Sequence, residues 1–154
     1  MKRFNYYLGQ VPITLHTFGV ALCAAVFGSL TGTVSTAVYV LLGAVGLPVF
    51  AGMRGGFEVL VGPTGGFLYG FIAMAFFCGL QMKNLPLRIA VSVGGLAVCY
   101  LCGAVQYAIL MQIDLLKSIV LVVLPFVVKD VLSVIAAQYM AIPIRKAVSK
   151  ISNI

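Results

Sequence analysis

Long apolar segments, separated by short polar or glycine-rich stretches, dominate the chain. Five such segments cover residues 12–28, 34–46, 67–80, 88–111 and 126–144. Since a helix needs about 20 predominantly apolar residues to cross a bilayer, the pattern predicts about five transmembrane helices. We therefore expect an all-α, polytopic integral membrane protein whose residues 1–154 form one membrane-embedded domain.

Two of the predicted boundaries follow from length and proline content. The second segment has only about 13 residues, so we expect it to continue into Leu47 or to lie buried among its neighbours. Residues 118–124 precede Pro125 and are expected to form an interfacial piece. The last helix should then end near Ile144, just before a group of basic residues that would anchor it in the headgroups.

A glycine-rich stretch separates the second and third segments. Residues 46–66 contain seven glycines and two prolines, which a regular membrane helix does not tolerate. Irregular backbone at membrane depth is found where it is buried in protein or lines a water-filled cavity. This stretch is therefore the first candidate for part of a binding site.

Composition and charge exclude several classes of protein. Apolar residues make up 62% of the chain and charged residues 8%, which is more apolar surface than a soluble fold could bury. The net charge of +7 comes from basic residues near segment ends, which suits membrane anchoring rather than nucleic-acid binding. With one histidine, three scattered acids and no nucleophile or phosphate-loop motif, we expect neither an enzyme nor a cofactor or metal site.

Asp130 is the leading candidate for a functional side chain. It lies about one turn into the last segment, where an ionisable residue is costly; the alternative is a helix-end charge in the headgroup zone. Lys129 should point about 100° away around the helix, so a pair is not expected. His16 lies beside Thr14 near the start of the first segment, as a packing histidine or a ligand contact.

Arg54 and Glu58 are the charged residues of the glycine-rich stretch. Their spacing suits a local ion pair, whereas the functional alternative is that Arg54 presents its guanidinium to a ligand carboxylate. Aromatic residues that could line an apolar pocket, or simply pack, are Tyr39, Phe50, Phe67, Tyr69 and Tyr100.

Small residues four apart recur on the apolar segments. They are Ala21 and Ala25, Gly66 and Gly70, and Gly95, Cys99 and Gly103. Such spacing lets helix backbones approach closely, either inside the subunit or, for Ala21 and Ala25, against a partner protein.

Four stretches carry a recognisable motif: Val-Pro-Ile-Thr-Leu-His-Thr-Phe-Gly-Val at 11–20, Gly-Leu-Pro-Val-Phe-Ala-Gly at 46–52, Gly-Pro-Thr-Gly-Gly-Phe at 62–67 and Leu-Pro-Phe-Val-Val-Lys-Asp at 124–130. The first three, and more weakly the fourth, resemble the BioY family, the substrate-binding subunits of energy-coupling-factor transporters that import biotin. The resemblance covers nearly the whole chain. It implies a helical subunit of the cytoplasmic membrane that captures biotin and works with a transmembrane coupling protein and paired ATPases.

The resemblance also implies where the ligand binds. The matched stretches and their flanks add these residues to the candidate pocket: Thr14, Tyr39, Phe50, Gly52, Thr64, Gly66 and Asp130. Ser133 stands where the family usually has a lysine, which leaves Lys129 or Arg54 as the cation for the vitamin's carboxylate. His16 stands where the family more often has glutamine, another hydrogen-bonding side chain.

Family members usually have a further hydrophobic helix before the first matched stretch. Residues 1–10 are too short to supply it, so we expect a five-helix protein with its N-terminus outside, or a truncated chain. Three alternatives stay open at this point: a capture subunit for another small vitamin, a stand-alone channel or secondary transporter, and a fragment without a transport role.

Overall fold

The computed structural model describes residues 16–50 and 53–153, which are almost entirely helical. Within these ranges the helices are α1 (His16–Phe27), α2 (Ser29–Val45), α3 (Phe57–Val61), α4 (Gly65–Cys78), α5 (Leu85–Met111), α6 (Leu115–Val122) and α7 (Leu124–Ser152). Extended pairing in the described part is limited to one isolated bridge between Phe50 and Arg54. The prediction of an all-α fold is confirmed.

Two of these helices are long and apolar enough to cross a bilayer, namely α5 with 27 residues and α7 with 29. Helices α1, α2 and α4 are shorter apolar helices of 12, 17 and 14 residues that pack with one another, while α1 also packs against α7 and α4 against α5. The five predicted segments each correspond to one of these helices. The number of membrane crossings stays a prediction.

The turn between α1 and α2 consists of one residue. Gly28 has φ +97°, a conformation that residues with a Cβ rarely adopt, and α2 folds back so that Gly32 packs against Ala24. Helix α2 consequently begins at Ser29, earlier than the predicted residue 34. Polar residues and Gly32 near the start of α2 lower its local apolar character, which is why hydropathy placed the start too late. Further along α2, the Thr36 hydroxyl donates to the Gly32 carbonyl at 2.8 Å.

The end of the chain also differs from the sequence prediction. Helix α6 begins at Leu115, and α7 continues to Ser152 instead of ending near residue 144. Pro125 occupies the first turn of α7, where the missing N–H is harmless. Pro143 lies inside α7 on an exposed face, and the helix continues past it.

Small residues let the central helices pack closely. A Cβ on Gly66 or Gly70 would collide with the backbone of α5. Ala21 and Ala25 are buried inside the subunit, with 0% and 1% of their surface exposed. Both alanines therefore pack against helices of their own chain, and their contact with a partner stays a prediction.

A buried hydrogen-bond network joins α4, α5 and α7 at the end of the bundle where α5 begins. The Nε2 of fully buried Gln138 donates to the Cys78 carbonyl at 3.1 Å and to the Ser92 hydroxyl at 2.7 Å. Its Oε1 accepts a hydrogen bond from Arg88 at 2.8 Å. Protein groups thus match both ends of this amide, as burial of a polar side chain requires.

Candidate functional site: an aromatic cavity with a buried carboxylate

A cavity lies at the opposite end of the bundle, where α1, α4 and α7 begin. It contains about 780 Å³ of atom-free space, its open mouth and the adjoining solvent included. Every described helix contributes to the lining. Its polar members are His16, Thr17, Thr64, Lys129 and Asp130, and its aromatic members are Tyr39, Phe50, Phe67, Phe71, Tyr100 and Phe126.

The aromatic side chains form two ordered groups on the cavity wall. Tyr39 meets Phe50 edge to face at 5.6 Å between ring centroids, and His16 lies 6.0 Å from Tyr39 in a tilted arrangement. Phe67 and Tyr100 meet edge to face at 6.5 Å. Edge-to-face packing is a favoured geometry for aromatic rings, so these side chains give the cavity a firm apolar surface.

The roof segment, which we define as the described residues 46–50 and 53–64, lines one side of this cavity through Phe50, Val59 and Thr64. The Tyr39 hydroxyl donates to the Val49 carbonyl at 3.0 Å, and the Gly56 N–H donates to the Gly43 carbonyl at 2.6 Å. These bonds attach the first half of the roof to α2. The second half contains the short helix α3, which the glycine-rich pattern did not reveal.

Three side chains form a polar corner in the otherwise apolar cavity: Tyr100, Lys129 and Asp130. Asp130 is only 5% exposed, and the Tyr100 hydroxyl donates to its Oδ2 at 2.5 Å. The ammonium of Lys129 lies 2.8 Å from Oδ1. That oxygen has no aligned hydrogen-bond donor among the described residues, so the carboxylate keeps acceptor capacity beside the cavity.

The ion pair between Lys129 and Asp130 corrects a prediction from helix geometry. Adjacent residues diverge by about 100° around a helix, but the long lysine side chain folds back along the surface. Separating opposite charges is costly in a medium of low dielectric constant, which favours this fold-back. The ammonium also lies 5.8 Å from the centroid of the Phe126 ring, within reach of a cation–π contact. Burial likewise argues against Asp130 as a headgroup-zone charge.

The structure gathers six of the predicted site residues around the cavity. They are His16, Tyr39, Phe50, Thr64, Lys129 and Asp130. Arg54 is exposed and lines a neighbouring depression, which shares Val59 and Thr64 with the cavity. Arg54 and Glu58 both border that depression, and no ion pair joins these two described residues.

Other predicted site residues lie away from the lining. The Ser133 hydroxyl donates to the Lys129 carbonyl at 2.8 Å, one helical turn back. Gly66 packs against α5, so its role is close helix contact and not cavity lining. Thr14 and Gly52 lie outside the described residues.

Sequence reasoning missed several apolar members of the lining and one polar member. These are Thr17, Val59, Leu68, Phe71, Leu96, Cys99, Val122 and Phe126. The spacing of residues 68 and 71 and of 96 and 99 places each pair on one helix face. That spacing does not separate a cavity-facing side from a lipid-facing side, since both are apolar. Tyr69, for example, fits the aromatic pattern but is 47% exposed.

The fold and this site together define a helical membrane protein with a small-molecule cavity between its helices. A model of the BioY family matches residues 3–150. The chain therefore belongs to the BioY family.

Named relatives match most of the chain. The biotin transporter BioY of Thermotoga maritima is 43% identical over 142 residues, covering 90% of this chain and 83% of the relative. The probable biotin transporter BioY of Pyrococcus horikoshii is 39% identical, with the same two coverages. A crystal structure of the S-component for biotin from an ECF-type ABC transporter matches with a TM-score of 0.78 and 26% identity, covering 88% of this chain and 76% of that one.

Proposed function

We propose that this protein is the biotin-capturing subunit of an energy-coupling-factor importer. One observation carries the proposal within the family: a nearly buried carboxylate with spare acceptor capacity, set among aromatic walls at the cavity. Biotin combines a bicyclic ring that bears a ureido group with an aliphatic chain that ends in a carboxylate. A mostly apolar pocket with a few placed polar groups suits such a ligand.

The ureido group binds at the polar corner. It offers N–H donors beside a carbonyl acceptor, and the corner offers the complementary set. Asp130 accepts from an N–H, and the neighbouring Lys129 ammonium donates to the carbonyl. Tyr100 holds Oδ2 of the carboxylate and thereby leaves Oδ1 to the ligand.

The ligand's carboxylate binds Arg54. A carboxylate at the end of the aliphatic chain lies far from the ureido group, so Lys129, at the polar corner, is poorly placed for it. Arg54 borders the depression that adjoins the cavity at Val59 and Thr64. Its planar guanidinium suits bidentate binding of a carboxylate.

The protein acts as one multi-pass domain of the cytoplasmic membrane and binds its ligand without changing it covalently. Partner subunits supply the energy: a transmembrane coupling subunit and ATPases that hydrolyse ATP. The sequence itself carries no phosphate-binding loop, which agrees with a capture role.

Calorimetry of biotin binding to the purified protein in detergent tests the capture role. We expect Asp130→Asn to weaken binding by about 1–3 kcal/mol, because the ureido N–H then faces a weaker acceptor. Gln81→Met, at the far end of the bundle, is the matched control and should bind as the wild type does. Competition with other small vitamins runs alongside. Displacement by another vitamin, or no binding by a folded sample, would reject biotin as the ligand.

A second comparison identifies which basic residue, Arg54 or Lys129, binds the carboxylate of biotin. Biotin and its uncharged amide are titrated into wild type, Arg54→Gln and Lys129→Met. If Arg54 binds the carboxylate, the wild-type preference for the acid disappears in Arg54→Gln and persists in Lys129→Met. The reverse pattern would move the carboxylate to the polar corner and overturn the proposed orientation.

A further inference from the structure

Gln106 on α5 makes an unusual pair of contacts with the roof segment. It is half-buried and lies more than one helical turn beyond Tyr100, outside the cavity lining. Its Nε2 donates to the Leu60 carbonyl at 2.9 Å and to the Gly62 carbonyl at 2.7 Å. One side-chain amide therefore holds two backbone carbonyls of another segment.

These two carbonyls stand at the end of α3, where a helix leaves its last carbonyls without intrahelical donors. Leu60 is buried, and its carbonyl is so closely confined that a Cβ on Gly65 would overlap it. Water has little room to replace Gln106 there. The Gly65 N–H also donates to the Gly62 carbonyl at 3.1 Å, so this end of α3 depends on the Gln106 amide chiefly at Leu60.

The segment that Gln106 holds carries part of the binding surface. Val59 and Thr64 line both the cavity and the depression that contains Arg54. The first half of the roof is attached to α2 through Tyr39 and Gly43. The second half is hydrogen-bonded to α5 through Gln106, while buried Leu60 packs with Val40 of α2 and Leu68 of α4.

We infer that Gln106 is a positioning residue: it fixes residues 57–64 over the cavity and thereby limits the rate at which ligand escapes. It does so without touching the ligand, through the main chain at Leu60 and Gly62. This inference deepens the proposed function and rests on it for the nature of the ligand. Its structural part, the attachment of the roof to α5, is independent of the ligand.

The test compares Gln106→Met, which keeps the side-chain length and removes the donor, with Gln81→Met. Gln81 is exposed at the far end of the bundle and accepts a hydrogen bond from Arg145. A chase experiment with labelled biotin measures dissociation. We expect dissociation about tenfold faster for Gln106→Met and unchanged for the control, since altered contacts act mainly on dissociation. Gln106→Lys, which restores a donor, should recover most of the wild-type rate.

Hydrogen–deuterium exchange of the unliganded proteins separates this inference from the proposed function. Gln106→Met should accelerate exchange at residues 57–64 and leave the middle of α7 protected. If wild type fails to bind biotin while the exchange result holds, the choice of ligand is wrong and the attachment stands. If exchange in residues 57–64 is unchanged, or wild type and Gln106→Met release biotin equally fast, the inference is overturned. If Gln106→Met fails to fold, Gln106→Asn replaces it in both experiments. Its shorter side chain keeps an amide, so we expect smaller increases in biotin dissociation and in exchange at residues 57–64.

Discussion

Gln138 and Asp130 are buried polar side chains at opposite ends of the bundle, and they differ in how fully the protein satisfies their hydrogen-bonding groups. Where α5 begins, protein groups satisfy both ends of the Gln138 amide, through Arg88, Ser92 and a backbone carbonyl. At the cavity end, Asp130 is nearly as buried, yet its Oδ1 has a charged neighbour and no aligned donor among the described residues. A buried group whose bonds are all made within the protein stabilises the fold, whereas a buried carboxylate that keeps acceptor capacity beside a cavity is available to a ligand.

The largest change in stability is expected from a substitution in the hydrogen-bond network where α5 begins. Gln138→Leu removes the partner of the Arg88 guanidinium and of the Ser92 hydroxyl, so buried polar groups lose their bonds. We expect the free energy of unfolding to fall by about 1–3 kcal/mol, which a melting curve in detergent measures. Biotin affinity of the folded fraction should not change. A loss of affinity without a loss of stability would show that the network serves binding.

The next effect is expected at the charged member of the polar corner. Lys129→Met removes the ammonium that lies 2.8 Å from Asp130, and with it the donor proposed for the ureido carbonyl. Binding should weaken by about 1.5–3 kcal/mol, the range for hydrogen bonds that involve a charged group. Lys129→Arg is the control, because it keeps the cation. Equal affinity of Lys129→Met and wild type would remove Lys129 from the site.

A smaller effect is expected from the neutral donor of the corner. Tyr100→Phe removes the hydroxyl that bonds Oδ2 of Asp130. Titration should show binding weaker by about 0.5–1.5 kcal/mol, the net value of one hydrogen bond. Tyr69→Phe is a matched control, since Tyr69 lies on the exposed side of α4. Similar losses for both variants would mean that the bond to Asp130 is not responsible.

The smallest effect is expected at Ser133. Among the described residues its hydroxyl bonds the backbone one turn back, as that of Thr36 does in α2. Ser133→Ala should therefore change binding and stability by less than about 0.5 kcal/mol, as should Thr36→Ala. Calorimetry and melting of both variants check this. A marked loss of affinity for Ser133→Ala alone would place Ser133 in the binding site.

Hydropathy was sufficient to locate the apolar helices, because segments such as α5 and α7 differ strongly from the stretches between them. Hydropathy mispredicted helix ends where polar or small residues are held in a helix by tertiary packing. Helix α2, for example, begins at Ser29 because Gly32 packs against α1. The family resemblance pointed to stretches that contribute to the cavity, including those with Phe50 and Thr64.

Partnerships between distant residues were beyond the sequence. Tyr100 and Asp130 are 30 positions apart, and Gln138 and Cys78 are 60 apart, so no local pattern connects them. The pairing of Lys129 with Asp130 was missed for a different reason. Helix geometry fixes where a side chain starts, but burial and charge decide where a long flexible side chain ends.

One paired measurement tests the contrast between the two ends most directly: melting temperatures of Asp130→Asn and Gln138→Leu, each with and without biotin. Because a ligand stabilises the state it binds, the biotin-induced rise in melting temperature reports binding. The melting temperature without biotin reports the stability of the fold. We predict that Gln138→Leu melts lower but keeps the wild-type rise, and that Asp130→Asn melts near wild type but loses most of the rise. A rise that is lost in Gln138→Leu and kept in Asp130→Asn would contradict the assignment of the binding site to the polar corner.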